Sequence, residues 1–460
     1  MVFTSFAFLF LFLPVFLAGY AAIGARHRNL WLFACSLVFY GWERPYWVLI
    51  MLASTALDFS VALAMGAREE NRAHRRTWLW FSIVANLGLL AWFKYANFFV
   101  HTTEAALGTT FGWTDVLLPV GISFYTFQSM SYTIDVYRGE VRPTTSLVDF
   151  ACYVTMFPQL VAGPIVRYRD VHRQLLQREH SATQFGAGAA AFVIGFVKKV
   201  VVADSLAPIA AAGFAMPDPG LLPAWTSLLA YAGQIYFDFS GYSDMAIGLG
   251  LMLGFHFPRN FDSPYKAESI TEAWRRWHVS LSTWLRDYLY IPLGGNRRGP
   301  LRTYANLMAT MLLGGLWHGA NWPFVLWGAY QGLWLCLERL RGRAAFHARL
   351  PRPVRIGLTF TIFAFGWSMF VARDFAHLWN LWGGLFGAHG LGQALATNGG
   401  TTITALTVLG ALAITFGMPN SAALLRRLHP GVMALFAVLF VAALAHSLAA
   451  THLPFLYFRF

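Results

Sequence analysis

Long apolar runs without charged residues dominate the chain and predict helices that cross a membrane. The longest of these runs cover residues 1–25, 303–337, 375–425 and 428–458. A transmembrane helix needs about 20 predominantly apolar residues, so each run is long enough to span a bilayer. Residues 1–25 lack the basic start and the small-residue cleavage site of a signal peptide, so we interpret them as the first span.

Further apolar runs fill most of the remaining chain and predict an all-α polytopic membrane protein. With re-entrant and interfacial helices included, we expect about eleven to thirteen membrane segments. No hydrophilic stretch is long enough for a soluble domain, so one membrane-embedded domain is expected over residues 1–460. The further runs cover residues 29–42, 45–66, 77–99, 116–135, 147–165, 183–215, 222–254, 356–372 and 400–418.

The basic residues are confined to short clusters between these runs, which is the pattern of cytoplasmic loops. The clusters at 68–76 and 339–355 are therefore predicted to be cytoplasmic, and the first run places the N-terminus in the periplasm. The single run 147–165 lies between two basic clusters, so we predict a re-entrant or interfacial segment there.

Residues 255–302 interrupt the apolar pattern and predict an amphipathic segment on the cytoplasmic side. They contain many charged residues together with tryptophan and tyrosine. If the segment is one helix, its apolar face follows the helical period and its basic face lies opposite. The apolar face would carry Trp274, Trp277, His278, Leu281, Leu285 and Tyr288, and the other face Arg275, Arg276, Thr283 and Arg286.

Composition supports a membrane protein and excludes other classes. Hydrophobic residues make up 57% of the chain and charged residues 12%, about half the charged share of a soluble domain. The net charge of +13 is explained by membrane orientation, so no nucleic-acid partner is expected. Phosphate-loop, dinucleotide-binding, nucleophile-elbow and zinc-protease motifs are missing, and the three cysteines have no zinc or disulfide spacing. We therefore expect no metal and no bound cofactor.

Two histidines are candidates for chemistry. His318 is the one His, Asp, Glu, Lys or Arg within the run 303–337, where glycines and Pro323 are expected to interrupt the helix. Ionisable groups inside a membrane are expensive and point to function, and a histidine suits general-base work on a hydroxyl. The alternative is a neutral imidazole bonded to a neighbouring helix. His278, on the Trp-rich face, is either a second acid or base or a packed interfacial residue.

For the acids within the apolar runs, a structural role is favoured over a chemical one. Asp238 and Asp244 could bind a cation or move protons, but pairing with Arg275, Arg286 or Arg297 is favoured. The same structural interpretation applies to Asp58.

Several motifs closely resemble the membrane-bound O-acyltransferase family, and most of all its bacterial branch with the alginate O-acetyltransferase membrane subunit. They occur in the expected order along the chain. They are LPVGISFYTFQ at 118–128, FPQLVAGPI at 157–165, YFDFSGYSDMA at 236–246, NFDSPY at 260–265, WRRWHVSLS at 274–282, WLRDYLYIPLGGN at 284–296, GLWHGA at 315–320 and FLYFRF at 455–460.

The resemblance implies a ring of helices around a central funnel or tunnel that connects the two membrane faces. It also implies that His318 is the principal active-site residue and that His278 is a second histidine in the same passage. We expect the donor site or the tunnel wall to contain Trp274, Trp277, Arg275, Arg276, Arg286, Asp287, Asn260, Asp238 and Trp317.

The resemblance implies an enzyme of the bacterial inner membrane. The leading hypothesis is transfer of an acetyl group from a cytoplasmic thioester, acetyl-CoA as co-substrate, across the membrane for O-acetylation of an alginate-like exopolysaccharide or a cell-wall glycan. One alternative is transfer of D-alanine or another acyl group, as in the related teichoic-acid branch. The other is a transporter or channel.

A protein partner is expected on the outer side. The loops at about 100–115 and 375–399 are short and nearly uncharged, whereas binding a polymer normally needs exposed aromatic and polar groups. The resemblance agrees, since alginate-type subunits work with periplasmic esterase-like proteins. We therefore predict that such a partner receives the acetyl group and passes it to the glycan.

Overall fold

The computed structural model describes residues 1–342, 345, 347–397, 399–449 and 455–456. Within these residues every regular element is a helix and none is a strand, which confirms the all-α prediction. The chain forms two compact units. Unit 1 comprises Met1–Phe192 and Met245–Pro258, and unit 2 comprises Val193–Asp244 and Arg259–Phe460. The expectation of a single domain over 1–460 stays a prediction.

The first half of the chain is a series of apolar helices of unequal length. A π-helical segment, Ala7–Phe12, precedes the first α-helix and another, Lys198–Ala203, follows α9. The helices are α1 Leu13–Ala22, α2 Arg28–Gly41, α3 Trp47–Gly66, α4 Arg72–Leu107, α5 Ile122–Arg138, α6 Leu147–Thr155, α7 Phe157–Leu160, α8 Tyr168–Leu176, α9 Ala182–Val197, α10 Asp204–Phe214 and α11 Leu221–Met252.

The second half of the chain contains the short helices that carry the candidate chemistry. They stand between longer ones, and a π-helical turn, Arg286–Tyr290, follows α13. The helices are α12 Ile270–Arg276, α13 Val279–Leu285, α14 Gly299–His318, α15 Trp322–Leu340, α16 Arg352–Val371, α17 Phe375–Leu385, α18 Gly400–Gly417, α19 Ser421–Leu425 and α20 Pro430–Ala449.

Six of the described helical runs are long and apolar enough to cross a membrane, which confirms a multi-pass membrane protein. The first predicted span is represented by the shorter apolar helix Ala7–Ala22. The run 147–165 contains only α6 and α7, of nine and four residues, so it is not a transmembrane helix. The six runs are Trp47–Gly66, Arg72–Leu107, Ala182–Phe214, Arg352–Val371, Gly400–Gly417 and Pro430–Ser447.

Unit 1 is organised around a buried carboxylate between three helices. Asp58 on α3 accepts hydrogen bonds from Ser82 (2.6 Å) and Asn86 (2.9 Å) on α4, and from Ser129 on α5. Asp58 has no exposed surface. Polar contacts of this kind hold membrane helices together, because hydrocarbon offers no other partner. The structural interpretation of Asp58 is therefore supported.

In unit 2, α14 and α15 pack backbone against backbone. A Cβ atom on Gly315 would lie 2.3 Å from the carbonyl oxygen of Phe324, and one on Gly328 would lie 2.4 Å from that of Met311. Small residues allow this close approach, which is the usual way in which membrane helices gain packing energy. Gly314 and Gly315 therefore belong to a continuous helix, so the predicted interruption is wrong at these two positions. It is confirmed after His318, where α14 ends and α15 begins at Trp322 with Pro323 in its first turn.

This packing makes Gly328 sensitive to the smallest added side chain. We expect Gly328→Ala to destabilise the purified protein by about 1–3 kcal/mol, because its methyl group would force α14 and α15 apart. Gly357→Ala on α16 is the matched control, since a Cβ there meets nothing within 4 Å and alanine favours the helix. Thermal unfolding in detergent measures the difference, and equal midpoints for the two variants would contradict the packing argument.

Candidate functional site

Helix α12 runs along α15 and ends beside the first candidate histidine. Trp274 donates a hydrogen bond from Nε1 to Gln331 Oε1 (3.2 Å), and its ring lies 5.6 Å from that of Trp327. The backbone N–H of Ile270, at the start of α12, donates a hydrogen bond to Glu338 Oε1, near the end of α15. The two helices are therefore antiparallel, and α12 leads the chain from the end of α15 towards its middle.

The chain reverses at His278, which has φ 43° and ψ 54°. This left-handed conformation is rare for a residue with a side chain and persists only where the surroundings impose it. Asn260 imposes it here. The main-chain carbonyl oxygen of Asn260 accepts a hydrogen bond from Val279 N (2.9 Å). Its side-chain oxygen Oδ1 accepts one from Ser280 Oγ (2.9 Å).

The reversal corrects the sequence prediction of one amphipathic helix over this segment. Helix α12 ends at Arg276, α13 begins at Val279, and the π-helical turn takes over at Arg286. The residues assigned to a common apolar face are thus divided among three pieces. Helical periodicity could not reveal the break, because its cause is Asn260, which lies 18 residues before His278 in the chain.

Asn260 also fixes which nitrogen of His278 carries the proton. The Asn260 Nδ2 group donates to Ser243 Oγ (2.9 Å), so the oxygen Oδ1 is the atom that faces His278 Nδ1, at 3.1 Å. An amide oxygen only accepts, so Nδ1 must be the protonated nitrogen. The Nε2 atom then carries a lone pair, and it is buried without a hydrogen-bond partner among the described residues.

Burial keeps His278 neutral. The side chain has no exposed surface, and the ring of Phe239 packs against it edge to face at 4.7 Å. Loss of water around the ring lowers the pKa of His278 to about 3, since the charged form needs solvation that this site does not offer. His278 is therefore a neutral hydrogen-bond acceptor at physiological pH.

His318 is the last residue of α14 and lies in the same aromatic cluster. Its ring is 5.0 Å from Trp317, 5.1 Å from Trp327 and 5.3 Å from Phe370. Trp317 is also 6.1 Å from His278, so one indole touches both imidazoles. The structure thus brings together the two histidines that the sequence singled out.

A cavity of about 600 Å³ lies in unit 2. Val371, which follows Phe370, lines the cavity, and so do Arg373 and His377 beyond the end of α16. Lys199 and Asp204 are among its other polar lining residues. Its lining includes neither histidine of the site, and Val371 is the lining residue next in sequence to the cluster.

The remaining predicted site residues fall into a packed group and a charged group. Trp277 is buried, with its ring 4.9 Å from Trp367, so it supports the site. Arg275 is exposed, and within the described chain no carboxylate pairs with it. Arg276 pairs with Glu272.

Arg286 pairs with the adjacent Asp287 at 2.6 Å. Arg286 is itself exposed, whereas Asp287 is only partly so.

Asp238 and Asp244 pair with lysines, so the predicted arginine partners are wrong. Asp238 lies 2.8 Å from Lys199, which also contacts Asp204, and Asp244 lies 2.7 Å from Lys198. Asp238 additionally accepts a hydrogen bond from the backbone N–H of Leu456 (2.8 Å). The C-terminal motif is thus held against α11 at this point, whereas its residues 457–460 lie outside the described chain.

The described residues contain no group of three His, Cys, Asp or Glu side chains that could hold a metal ion. The site offers imidazoles, indoles and an asparagine amide. This set suits proton transfer and the orientation of a neutral reactant.

The arrangement predicts a single tautomer for His278. In nitrogen NMR of histidine-labelled protein, the His278 signal should report the neutral Nδ1–H form between about pH 5 and about pH 8, because its pKa is about 3. Asn260→Ala should convert the signal to a mixture of tautomers, whereas Asn29→Ala, a buried asparagine of unit 1, should not. A pure Nδ1–H signal in Asn260→Ala would show that the amide does not set the tautomer.

Comparison with known proteins identifies the family. Residues 74–376 match the membrane-bound O-acyltransferase family. The chain is 51% identical to a probable alginate O-acetylase of Azotobacter vinelandii, covering 84% of this chain and 78% of that protein. It is 43% identical over the full length of both chains to the corresponding protein of Pseudomonas putida. It is 36% identical to a peptidoglycan O-acetyltransferase of Helicobacter pylori, covering 84% and 79%. The chain therefore belongs to the membrane-bound O-acyltransferase family.

Proposed function

We propose that this O-acyltransferase moves an acetyl group from a cytoplasmic thioester, acetyl-CoA, to the outer side of the membrane for O-acetylation of a polysaccharide. The observation that carries the proposal is the buried pair His278 and His318, both in contact with Trp317. The relatives that share most of this chain are named for O-acetylation of alginate and of peptidoglycan, which supports an acetyl group and a glycan destination.

The chemistry needs one proton acceptor near the reacting carbonyl. The oxygen of an acceptor hydroxyl attacks the thioester carbonyl carbon, the carbon–sulfur bond breaks, and an ester forms. The hydroxyl proton passes to a histidine and then to the departing sulfur, which leaves as the thiol. Protons and electron pairs balance without a metal or a redox group, so the residues of the site are sufficient.

We assign the general-base role to His318 and a supporting role to His278. His318 ends α14 and packs against Phe370. The next residue, Val371, lines the cavity of unit 2, and we propose that the acceptor approaches through this cavity. His278 presents Nε2 as a lone pair, so it accepts a hydrogen bond from the departing thiol once the sulfur is protonated, while the single proton of the acceptor hydroxyl goes to His318. The Trp317 ring packs against both histidines.

The His318 assignment predicts a large loss of activity without a loss of structure. His318→Ala should lower acetyl transfer by about 10²- to 10⁴-fold, the usual effect of removing an acid–base group. His429→Ala, an exposed histidine, is the matched control. Consumption of acetyl-CoA is measured in proteoliposomes at equal protein abundance. Wild-type consumption in His318→Ala would reject the assignment, and no consumption by the wild type would favour a transporter or another acyl group.

We place the donor on the side of the basic clusters, in the bacterial inner membrane, with the N-terminus in the periplasm. Arginine-rich segments between 339 and 355 and around Arg297 and Arg298 are typical of cytoplasmic loops. Arg275 is exposed three residues before His278, so it is suited to bind a phosphate of the donor while the thioester reaches the histidines.

The donor assignment predicts a directional effect on substrate affinity. Arg275→Glu should raise the KM for acetyl-CoA more than it lowers kcat, because phosphates are bound equally in the ground and transition states. Arg44→Glu, an exposed arginine of unit 1, is the control. The assay uses everted membrane vesicles, which expose the cytoplasmic face. An unchanged KM, or equal activity of right-side-out vesicles, would contradict the donor assignment.

We further propose that a periplasmic esterase-like protein receives the acetyl group and modifies the glycan. The outer connections of the chain are short and carry little charge, as in residues 386–397. Connections of this length provide little area for the many aromatic and polar contacts that binding a long polymer needs.

The partner assignment predicts that consumption of acetyl-CoA and acetylation of the glycan are carried out by two different proteins. The purified chain should consume acetyl-CoA slowly and leave soluble alginate or peptidoglycan fragments unmodified, and addition of a periplasmic extract should restore glycan acetylation. A heat-treated extract is the control for small molecules. Efficient acetylation of the glycan by the purified chain alone would remove the need for a partner.

A further inference from the structure

Glu338 is a buried acid that the proposed chemistry does not use. It lies near the end of α15 with 2% of its surface exposed. Its Oε1 atom accepts a hydrogen bond from the backbone N–H of Ile270 (2.7 Å), and its Oε2 atom accepts one from that of Thr271 (2.8 Å). Both carboxylate oxygens are thus directed at the first turn of α12.

These contacts supply hydrogen-bond acceptors for the first N–H groups of α12, which have none within the helix. The first N–H groups of any helix have no partner within the helix, and α12 has only seven residues. Ser269 satisfies the N–H of Glu272 (3.1 Å), and Glu338 satisfies the two before it. Loss of Glu338 would leave two buried donors unpaired, so α12 would have to move to find other partners.

Gln331 holds the same helix nearer to the histidine. Two turns before Glu338, about 10 Å along α15, Gln331 Oε1 accepts the hydrogen bond from Trp274 Nε1. Gln331 is itself buried, and α16 lies so close that a Cβ on Gly366 would be 2.6 Å from Gln331 Nε2. The amide of Gln331 therefore occupies space that a side chain at position 366 would need.

Helix α15 also contacts the second histidine. Trp327 lies one turn beyond Gln331 and packs edge to face on His318 at 5.1 Å. The same helix therefore holds α12 at Glu338 and Gln331 and holds His318 at Trp327. Because α12 ends at the reversal that carries His278, a shift of α12 along α15 changes the position of His278 relative to His318.

We infer that Glu338 and Gln331 are positioning residues that set His278 against His318 by holding α12 on α15. This inference rests on the proposed function, in which both histidines serve the same acyl transfer. Effective catalysis needs reacting groups within a near-attack geometry, and a displacement of about 1 Å can reduce the rate about 10²-fold. The oxygens of both side chains are engaged by hydrogen bonds from α12, so we assign neither of them a direct contact with substrate.

The experiment compares variants at both positions with a variant of the same helix. Glu338→Ala removes both acceptors, Glu338→Gln keeps the shape but loses the charge, and Gly366→Ala displaces Gln331 without altering it. We expect kcat to fall about 10²-fold in Glu338→Ala and about tenfold in the other two, with the KM for acetyl-CoA within about twofold of wild type. Leu337→Ala, an exposed position of α15, should match the wild type.

A second measurement does not depend on activity. Modification of histidines by diethyl pyrocarbonate, followed by mass spectrometry, should show faster reaction of His278 in the three variants and an unchanged rate for His318. This readout separates the two proposals, because it can succeed even if the wild type transfers no acetyl group. Equal acceleration at both histidines would indicate general loosening and would overturn the inference. So would wild-type kcat together with wild-type His278 protection in Glu338→Gln and Gly366→Ala.

Discussion

Hydrogen bonds to the main chain and the side chain of Asn260 hold the reversal of the chain at His278. The candidate site depends on them. A left-handed histidine in a buried environment is unfavourable unless its neighbours supply partners for the backbone and the ring. Asn260 supplies both, with its carbonyl oxygen on Val279 and its Oδ1 on His278 and Ser280. Without this reversal α12 and α13 would continue as one helix, and Nε2 of His278 would not point out of the Asn260 contact towards the aromatic cluster.

The fold class could be predicted from the sequence because its signals are local, and local signals also singled out the two histidines that the structure packs against Trp317. Uncharged runs of sufficient length define membrane helices, and a single ionisable residue within such a run, His318, stands out against them. The path of the chain at His278 could not be predicted, because its cause is a contact between residues distant in sequence. The glycines before His318 were misinterpreted for a related reason. Gly315 is required by the approach of Phe324 on α15, and a sequence shows the small residue without showing the neighbour.

Charged residues were harder to assign than histidines. Glu338 ends the apolar run of α15 beside Arg339, so its pattern is that of an interfacial residue, whereas the structure buries it on the first turn of α12. Lys198 and Lys199 are adjacent in sequence but project in different directions from the π-helical segment that carries them. They therefore reach different acids of α11, Asp244 and Asp238. The polarity pattern indicates that buried charges will be paired, but not which helix provides the partner.

The contrast between Asp58 and His278 shows how a buried polar group can be assigned to structure or to chemistry. Asp58 accepts hydrogen bonds at both carboxylate oxygens from neighbouring helices, so its bonding capacity is used within the fold. His278 is equally buried, yet only Nδ1 is engaged by Asn260, and Nε2 has no partner among the described residues. An unsatisfied buried acceptor is unfavourable in a low-dielectric environment, and folds rarely retain one without use. A reactant that donates a hydrogen bond, such as a hydroxyl or a thiol, would satisfy Nε2, and the neutral ring is ready to accept it. Asp58 and His278 thus differ less in burial than in how many of their polar atoms the described residues engage.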